Sequence, residues 1–423
     1  MIFLQQILNP VTKKVWLALL FCIFCLQLPA QNPIQKSIQF EGHTREYLLY
    51  TPHNPNAEKP TGLIICLHGL NGKMWDFFDK YDVSELANSI NFAVLVPQAL
   101  PEQDTKVLNV AESLEKIFGL KIPLGAVWGC GLRVKSVMNI IIPITLLNEE
   151  LNKNVNDAAF INHIVTSTLD ELPSVDSRNQ FVFGTSMGGF MSYQYALNYG
   201  NSLAGLISIC GSMGTDIKNT NAKVSLPICD FHSITDEVVR YNGQYYESNG
   251  AKVTLSQSKS SVIDFWVKKN EVSSTPIKEA VDYYPSTNKI TVEKRTYNHP
   301  ENEVIHYRID GAKHDYYFKK EKSDCMDYNE EVIKFINAHS AKGNTGIWAV
   351  KPERWNVYPN PTTDIIYFNI TEGQASVYDV NGKLVLSESL QSAQLDISSL
   401  SKGMYFIILE SGGKKQSEKI IKI

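Results

Sequence analysis

Between residues 31 and 340 the chain alternates short, continuously apolar stretches with segments of helical periodicity. Continuous apolar stretches are typical of strands buried on both faces, as in parallel sheets that helices cover. This alternation predicts an α/β domain with a mostly parallel sheet and helices on both of its faces. The predicted strands lie at 47–50, 63–67, 93–96, 181–183, 206–209, 228–231 and 304–309, and the predicted helices at 84–90, 158–171, 189–199, 260–269 and 328–339.

One stretch, residues 100–156, breaks the alternation and is longer than an ordinary connection. We interpret it as an insertion that either packs as an extra layer on the sheet or folds as a lid over a site. Its apolar run at 137–147 favours packing. Trp128 stands between glycines, and we expect it in the cleft, where it would stack on a flat substrate.

The N-terminus has the pattern of an export signal. Lys13 and Lys14 precede an apolar run at 15–26, and a small residue, Ala30, follows it. The run is shorter than the roughly 20 apolar residues that span a membrane, so residues 1–30 are predicted to be a cleaved signal peptide, with an uncut anchor as the alternative. The mature chain is therefore expected to be exported and to have no stable membrane span.

Five cysteines follow the predicted signal, and none of them forms a paired-Cys motif. In an oxidising compartment a Cys130–Cys325 bridge is one option, and buried free thiols are the other. The sequence contains no zinc-binding spacing, and we expect no metal and no cofactor.

The charge of the chain argues against binding of nucleic acid. With 40 Lys+Arg against 44 Asp+Glu and a net charge of −4, the chain has no cluster of basic residues that would bind the phosphate backbone.

The sharpest chemical motif is Gly-Thr-Ser-Met-Gly-Gly at residues 184–189, between a predicted strand and a predicted helix. In this context a G-x-S-x-G sequence predicts a sharp turn that exposes the Ser186 hydroxyl as a nucleophile. The alternative is a plain glycine-serine turn. The helix that begins here would direct its N-terminal amides, Met187 among them, at a developing oxyanion.

A nucleophilic serine needs a histidine base and a carboxylate that orients the base. Asp236 and His314 each follow a predicted strand, in the chain order serine, acid, histidine. Asp230 lies within a strand and is the second choice for the acid. The loop after the strand at 63–67 is expected to supply the other oxyanion amide, from Leu70.

The histidine of that loop, His68, is expected to hold the turn rather than to react. We name Trp75 and Trp128 as candidate substrate-binding residues.

These residues resemble secreted α/β-hydrolases related to polyhydroxybutyrate depolymerases, feruloyl esterases and acetylxylan esterases. The resemblance implies an α/β-hydrolase fold, a Ser186–Asp236–His314 triad, and a plant cell-wall ester or a polyester as substrate. Lys313 and residues 315–316 depart from the family pattern, which leaves the substrate open. A peptidase of the same fold and a non-catalytic surface-binding protein are the alternatives. The matching stretches are 67–69, 156–157, 184–189, 232–241, 264–266 and 311–314.

After a linker at 341–354, residues 355–423 show short alternating strands and an Asn381-Gly382 hairpin signal. This pattern predicts a small all-β sandwich. The segments 358–361, 378–383, 400–405 and 419–423 resemble the type A sorting domain of the type IX secretion system. That resemblance implies the secretion machinery as partner and a final location in the medium or on the cell surface, whereas a carbohydrate-binding sandwich is the alternative.

Overall fold

A computed structural model describes residues 32–52, 61–119, 121–133, 149–215, 224–248, 251–284, 287–299, 301–314, 316–341, 357–358, 360–368, 370, 372–411 and 414–423. The chain divides into two compact units, which meet in sequence between Gly343 and Asn344. The predicted signal peptide, the apolar run at 137–147 and the linker from residue 342 onward lie outside the described residues.

The first unit contains a ten-stranded sheet of order β1-β2-β4-β3-β5-β6-β7-β12-β11-β10. Strands β3 to β7 and β12 pair in parallel, whereas β1 and β2 at one end and β10 and β11 at the other are antiparallel. This order, with an antiparallel second strand, is that of the α/β-hydrolase fold, so the predicted fold class is confirmed. The strands are β1 Ile34–Phe40, β2 His43–Tyr50, β3 Gly62–Leu67, β4 Phe92–Pro97, β5 Gln180–Thr185, β6 Gly205–Ile209, β7 Ile228–Ser233, β10 Ile277–Val281, β11 Thr291–Tyr297 and β12 Val304–Asp310.

Helices cover both faces of this sheet. Along β3, Leu63 and Ile65 belong to one hydrophobic core cluster, whereas Ile64 and Cys66 belong to a second cluster on the opposite face. Burial on both faces explains why the central strands are continuously apolar. The helices are α1 Met74–Lys80, α2 Val83–Ile90, α3 Thr105–Phe118, α4 Asp157–Glu171, α5 Met187–Tyr199, α6 Lys259–Lys269 and α7 Tyr328–His339, and a separate hairpin pairs β8 Gln244–Ser248 with β9 Ala251–Ser256.

The described parts of the 100–156 insertion pack into the core. Helix α3 buries Val107 and Leu114, and the segment after it buries Val127, Cys130 and Leu132 in the same cluster as the central strands. Residues 105–119 and 121–133 therefore pack as a layer, one of the two arrangements that the sequence left open for the insertion, and not with Trp128 in a cleft. The apolar run at 137–147, for which packing was also predicted, falls outside the described residues.

The second unit consists of two antiparallel sheets around one core. One sheet has the order β13-β14-β17 and the other β16-β15-β18-β19. Side chains of both sheets, such as Ile366, Val377 and Ile407, share a hydrophobic cluster, as in a β-sandwich. Asn381 and Gly382 form the turn between β15 and β16, and Gly382 has the positive φ of 79° that this hairpin signal predicts. The strands are β13 Val357–Tyr358, β14 Ile365–Phe368, β15 Gly373–Asp379, β16 Leu384–Leu390, β17 Gln394–Asp396, β18 Gly403–Ser411 and β19 Lys414–Lys422.

The five cysteines of the described chain are all buried, and none of them is in a disulfide. The Cys130–Cys325 bridge, one of the two options left by the sequence, is therefore not formed. Burial raises the pKa of the Cys66 and Cys130 thiols, which keeps them protonated and unreactive. No helix within the described ranges is long and apolar enough to cross a membrane.

Candidate active site

Ser186 occupies the sharp turn between β5 and α5. Its backbone angles, φ 53° and ψ −123°, lie in a region that residues with a side chain rarely adopt. Such strain persists where the surroundings fix the conformation, and it occurs preferentially at functional sites. The turn leaves the Ser186 side chain half-buried, at the carboxyl end of β5.

Two glycines allow this turn to form. A Cβ atom on Gly184 would lie 2.1 Å from the Gly188 carbonyl oxygen, and one on Gly188 would lie 1.9 Å from the Leu67 carbonyl oxygen. Both distances are far inside van der Waals contact, so neither position accepts a side chain. The two glycines thus allow β5, α5 and β3 to pack closely together behind Ser186.

The structure brings the three predicted triad residues together. The Ser186 Oγ lies 2.9 Å from His314 Nε2, and His314 Nδ1 lies 2.8 Å from Asp236 Oδ2. In this arrangement Nδ1 donates its proton to the carboxylate, and Nε2 accepts from the serine hydroxyl. The geometry is that of a serine nucleophile, its base and the group that orients the base.

Asp236 is itself fixed by the loop that follows β7. Its Oδ1 accepts hydrogen bonds from the N–H groups of Val238 and Val239, at 2.8 and 2.9 Å. Its other oxygen, Oδ2, remains for His314, and the side chain is fully buried. These two backbone donors fix the orientation of the carboxylate, so that Oδ2 faces the His314 ring.

Asp230, the second choice for the acid, belongs to a separate buried cluster. Its Oδ1 accepts from Lys259 Nζ at 2.7 Å and from the Tyr193 hydroxyl at 3.0 Å, and its Oδ2 lies 2.8 Å from His306 Nδ1. Burial alone would raise the pKa of Asp230, but the Lys259 charge and the His306 hydrogen bond outweigh burial and lower that pKa. Both carboxylate oxygens are therefore engaged away from His314.

A residue that the sequence analysis did not single out, His232, packs beside the acid. Its ring is fully buried, and Nε2 lies 2.7 Å from the Val239 carbonyl oxygen and 3.6 Å from Asp236 Oδ2. Nδ1 lies 3.0 Å from the Gly211 carbonyl oxygen. His232 thereby ties the Asp236 loop to the loop after β6. The sequence signal for a role of His232 was its place in the stretch 232–241, which resembles the esterase family.

Two backbone N–H groups near Ser186 remain without partners in the described chain. The N–H of Met187, the first residue of α5, has none, as is usual for the first turn of a helix. The N–H of Leu70 likewise has none, whereas those of Asn71 and Gly72 bond to backbone carbonyls. Both predicted oxyanion amides are therefore available as donors.

The prediction that Trp128 contacts substrate is wrong in this structure. Its side chain is fully buried, and its Nε1–H donates to the His68 carbonyl oxygen at 2.8 Å. A fully buried ring offers no face on which a substrate could stack. Trp75 is 39% exposed, and its Nε1–H donates to the Gln35 side chain of β1 at 3.2 Å, so a role in binding substrate stays a prediction.

No group of three or more potential metal ligands occurs among the described residues. The site is thus built from a serine, an imidazole, a carboxylate and backbone amides on an α/β-hydrolase sheet. This combination defines the class of α/β-hydrolases with a serine-type triad.

Comparisons with known proteins find two esterases and a sorting domain among the similar sequences. Residues 356–423 match a family described as "Secretion system C-terminal sorting domain". The chain is 25% identical over 199 residues to a "Probable feruloyl esterase C" of Aspergillus flavus, covering 47% of this chain and 57% of the relative. It is 24% identical over 216 residues to a protein of the same name from Aspergillus oryzae, covering 50% and 64%.

The chain therefore spans less than two thirds of the length of these two relatives. A solved structure of an acetyl xylan esterase from Aspergillus awamori is similar with a TM-score of 0.45 at 13% identity, covering 72% of this chain and 99% of that one. The two sequence relatives and the sorting-domain family confirm the two resemblances stated for the sequence, to esterase-like hydrolases and, in the second unit, to a secretion sorting domain.

Proposed function

We propose that the chain is an exported serine esterase that hydrolyses carboxylic esters through an acyl-enzyme. The observation that carries the proposal is the continuous hydrogen-bonded series Ser186–His314–Asp236, with heavy-atom distances of 2.9 and 2.8 Å. Ser186 is hydrogen-bonded to the base that would take its proton, and His314 is hydrogen-bonded to the carboxylate that would orient it. The similarity to proteins named feruloyl esterases supports an ester as the substrate.

In the acylation step the Ser186 Oγ attacks the ester carbonyl carbon. His314 Nε2 takes the hydroxyl proton as the Oγ–C bond forms, and Asp236 stabilises the resulting imidazolium. The carbonyl oxygen becomes an oxyanion, which the N–H groups of Met187 and Leu70 would bind. Collapse of this intermediate breaks the bond to the alcohol oxygen, and His314 returns the proton to the leaving alcohol.

In the deacylation step a water molecule replaces the alcohol. His314 takes a proton from the water as its oxygen attacks the acyl carbon, and a second oxyanion forms in the same place. The Oγ–C bond then breaks, the proton returns to Ser186 and the carboxylic acid leaves. One triad thus serves both steps, and the reaction consumes only ester and water.

For the substrate we favour an ester of an aromatic acid of the feruloyl type, since the two relatives carry that name. Acetylxylan and polyhydroxybutyrate esters are the other members of the predicted class. Lys313 is exposed directly before His314, at a position where the family usually has glycine, and this departure leaves the choice among these esters open.

For the location we propose the medium or the cell surface. The second unit matches a secretion sorting domain, and its motifs resemble those of the type IX system. The partner of this unit would then be the type IX machinery, reached after a signal peptide at 1–30 has directed the chain across the inner membrane.

A fluorophosphonate probe, which reacts with activated serines, tests the proposal directly. The wild-type protein should be labelled at Ser186 and should hydrolyse at least one of feruloyl, acetylxylan and hydroxybutyrate esters, whereas Ser186→Ala should do neither. If the probe labels the protein but the protein cleaves only peptides, the peptidase alternative is favoured. Absence of labelling would favour a non-catalytic binding protein.

A further inference from the structure

The loop after β3 holds one peptide unit by two donors. The Gly69 carbonyl oxygen accepts from His68 Nδ1 at 2.8 Å and from the Gly72 N–H at 3.0 Å. The Gly69–Leu70 peptide bond is trans, so its N–H points away from its carbonyl. Two donors on the carbonyl edge therefore fix the direction of the Leu70 N–H on the opposite edge.

The partners of His68 determine which ring nitrogen carries the proton. The Ala99 N–H donates to Nε2 at 3.1 Å, and the Gln98 amide nitrogen lies at the same distance from it. Nε2 is thus the acceptor, and Nδ1 carries the proton that faces Gly69. Burial lowers the pKa of His68 to about 4, so the ring remains neutral and keeps one donor and one acceptor.

Trp128 holds His68 from the other side. Its Nε1–H donates to the His68 carbonyl oxygen at 2.8 Å, and the two rings pack with centroids 5.0 Å apart. The neighbours of Trp128 are themselves anchored, because the Asn152 amide donates to the Val127 carbonyl at 2.8 Å and the Gly129 N–H to Asp157 Oδ2 at 2.7 Å. Trp128 thus links the packed insertion to the loop after β3.

The Gly69–Leu70 peptide unit, to which His68 donates its hydrogen bond, begins close to Ser186. A Cβ atom on Gly69 would be 3.3 Å from Ser186 Cβ and 3.7 Å from Ser186 Oγ. Because Gly69 has no side chain, the loop can approach the serine closely at Gly69, and the unpartnered N–H belongs to the next residue, Leu70.

We infer that His68 is a positioning residue that directs the Leu70 N–H at the oxyanion, and that Trp128 holds His68 in place. This inference rests on the proposed esterase function, since it requires an oxyanion at Ser186. The hydrogen bond on the Gly69 carbonyl also polarises the peptide and strengthens its N–H as a donor. Because the oxyanion develops only in the transition state, losing this alignment lowers kcat and leaves KM nearly unchanged.

A pair of substitutions distinguishes the roles of the two ring nitrogens of His68. In His68→Asn the amide nitrogen stands where Nδ1 stands and can donate to Gly69, whereas in His68→Gln the amide group reaches the position of Nε2 only. We expect His68→Asn to keep kcat for p-nitrophenyl acetate within about threefold of wild type. His68→Gln should lose at least about tenfold, a fraction of the 10²–10³ that removal of a whole oxyanion donor costs.

A second pair tests Trp128 against a matched tryptophan. Trp266 is also fully buried, but its Nε1 has no hydrogen-bond partner in the described chain. Both Trp128→Phe and Trp266→Phe remove an indole from the core and should lower the melting temperature. Only Trp128→Phe removes a donor to His68, so only this variant should lower kcat, by about threefold to tenfold at unchanged KM.

The rate of fluorophosphonate labelling per active site provides a readout independent of the natural substrate. A slower rate in His68→Gln than in His68→Asn, and in Trp128→Phe than in Trp266→Phe, supports the inference. Equal rates in the two His68 variants, or equal kcat in the two tryptophan variants, would overturn it while the esterase proposal stands. A wild-type protein that is neither labelled nor active would overturn both.

Discussion

The Ser186 hydroxyl lies 2.9 Å from His314 Nε2, although the two residues are 128 positions apart in the chain. The contact exists because β5 and β12 are parallel strands of one sheet, and the loops after parallel strands meet at the same edge. The fold itself therefore aligns the Ser186 hydroxyl with the His314 ring.

Replacement of Ser186 or His314 by alanine should reduce kcat for p-nitrophenyl acetate by about 10⁴ or more, because the triad acts as a unit. For the same reason the double variant should be no slower than the worse single variant. Steady-state kinetics and circular dichroism on all three proteins check this expectation. Retention of more than about a tenth of the activity in His314→Ala would remove His314 from the role of base.

The strain at Ser186 predicts a difference in stability between two inactive variants. Glycine adopts a positive φ at no steric cost, whereas alanine does not. Ser186→Gly should therefore unfold at a higher temperature than Ser186→Ala, with a free energy of unfolding larger by about 1 kcal/mol. Thermal and urea denaturation measure both quantities. Equal stabilities would mean that the turn relaxes in the absence of the serine.

The two aspartates near the end of β7 should respond in opposite ways to the same substitution. Asp236→Asn should lower kcat by about 10⁴ through the wrong histidine tautomer, with little change in melting temperature. Asp230→Asn leaves the buried Lys259 ammonium without its counter-charge, so unfolding should become easier by about 3–5 kcal/mol. The reverse pattern, an inactive but stable Asp230→Asn, would show that the acid is misassigned.

The sequence predicted the buried strands well because their signals are local. Each central strand is apolar along its whole length, and helix α7 (Tyr328–His339) starts after an Asp327 N-cap that accepts from the N–H groups of Asn329 and Glu330. The elements that were missed lack such signals. Strand β10 (Ile277–Val281) is almost entirely exposed, and helix α1 (Met74–Lys80) has only seven residues.

Trp128 shows what local sequence leaves undetermined. Flanking glycines allow a close approach of some other group, but they do not say whether that group belongs to a substrate or to the protein. The deciding contact is with the His68 carbonyl, 60 positions earlier. Only the packed position of residues 121–133 against the loop after β3 supplies this information.

The low pKa of His68 predicts a pH dependence of stability. The folded protein leaves His68 unprotonated down to about pH 4, whereas the unfolded chain protonates it near pH 6.5. The unfolded state thus binds more protons between these values, so acidification through this window lowers the free energy of unfolding, by up to about 3 kcal/mol from this group. His68→Asn does not titrate, and its melting temperature should fall less than that of wild type between pH 7 and pH 4.5.

Removal of residues 357–423 should separate export from catalysis. We expect the purified truncated protein to keep wild-type kcat, because the triad lies wholly in the first unit. In a bacterium with a type IX system, the truncated protein should remain inside the cell envelope while the full chain reaches the medium or surface. Fractionation followed by esterase assay measures this difference, and full release of the truncated protein would contradict the sorting role.

Five buried thiols, none of them in a disulfide, determine how such a protein survives under oxidising conditions. Their protection from oxidants is conformational rather than covalent, so it lasts only as long as the fold remains closed. Any molecule that opens would expose several thiols at once, and disulfide scrambling could then trap it irreversibly. The working lifetime of the protein under oxidising conditions should accordingly follow its unfolding rate, and the rate at which a thiol reagent modifies the native protein would measure that lifetime.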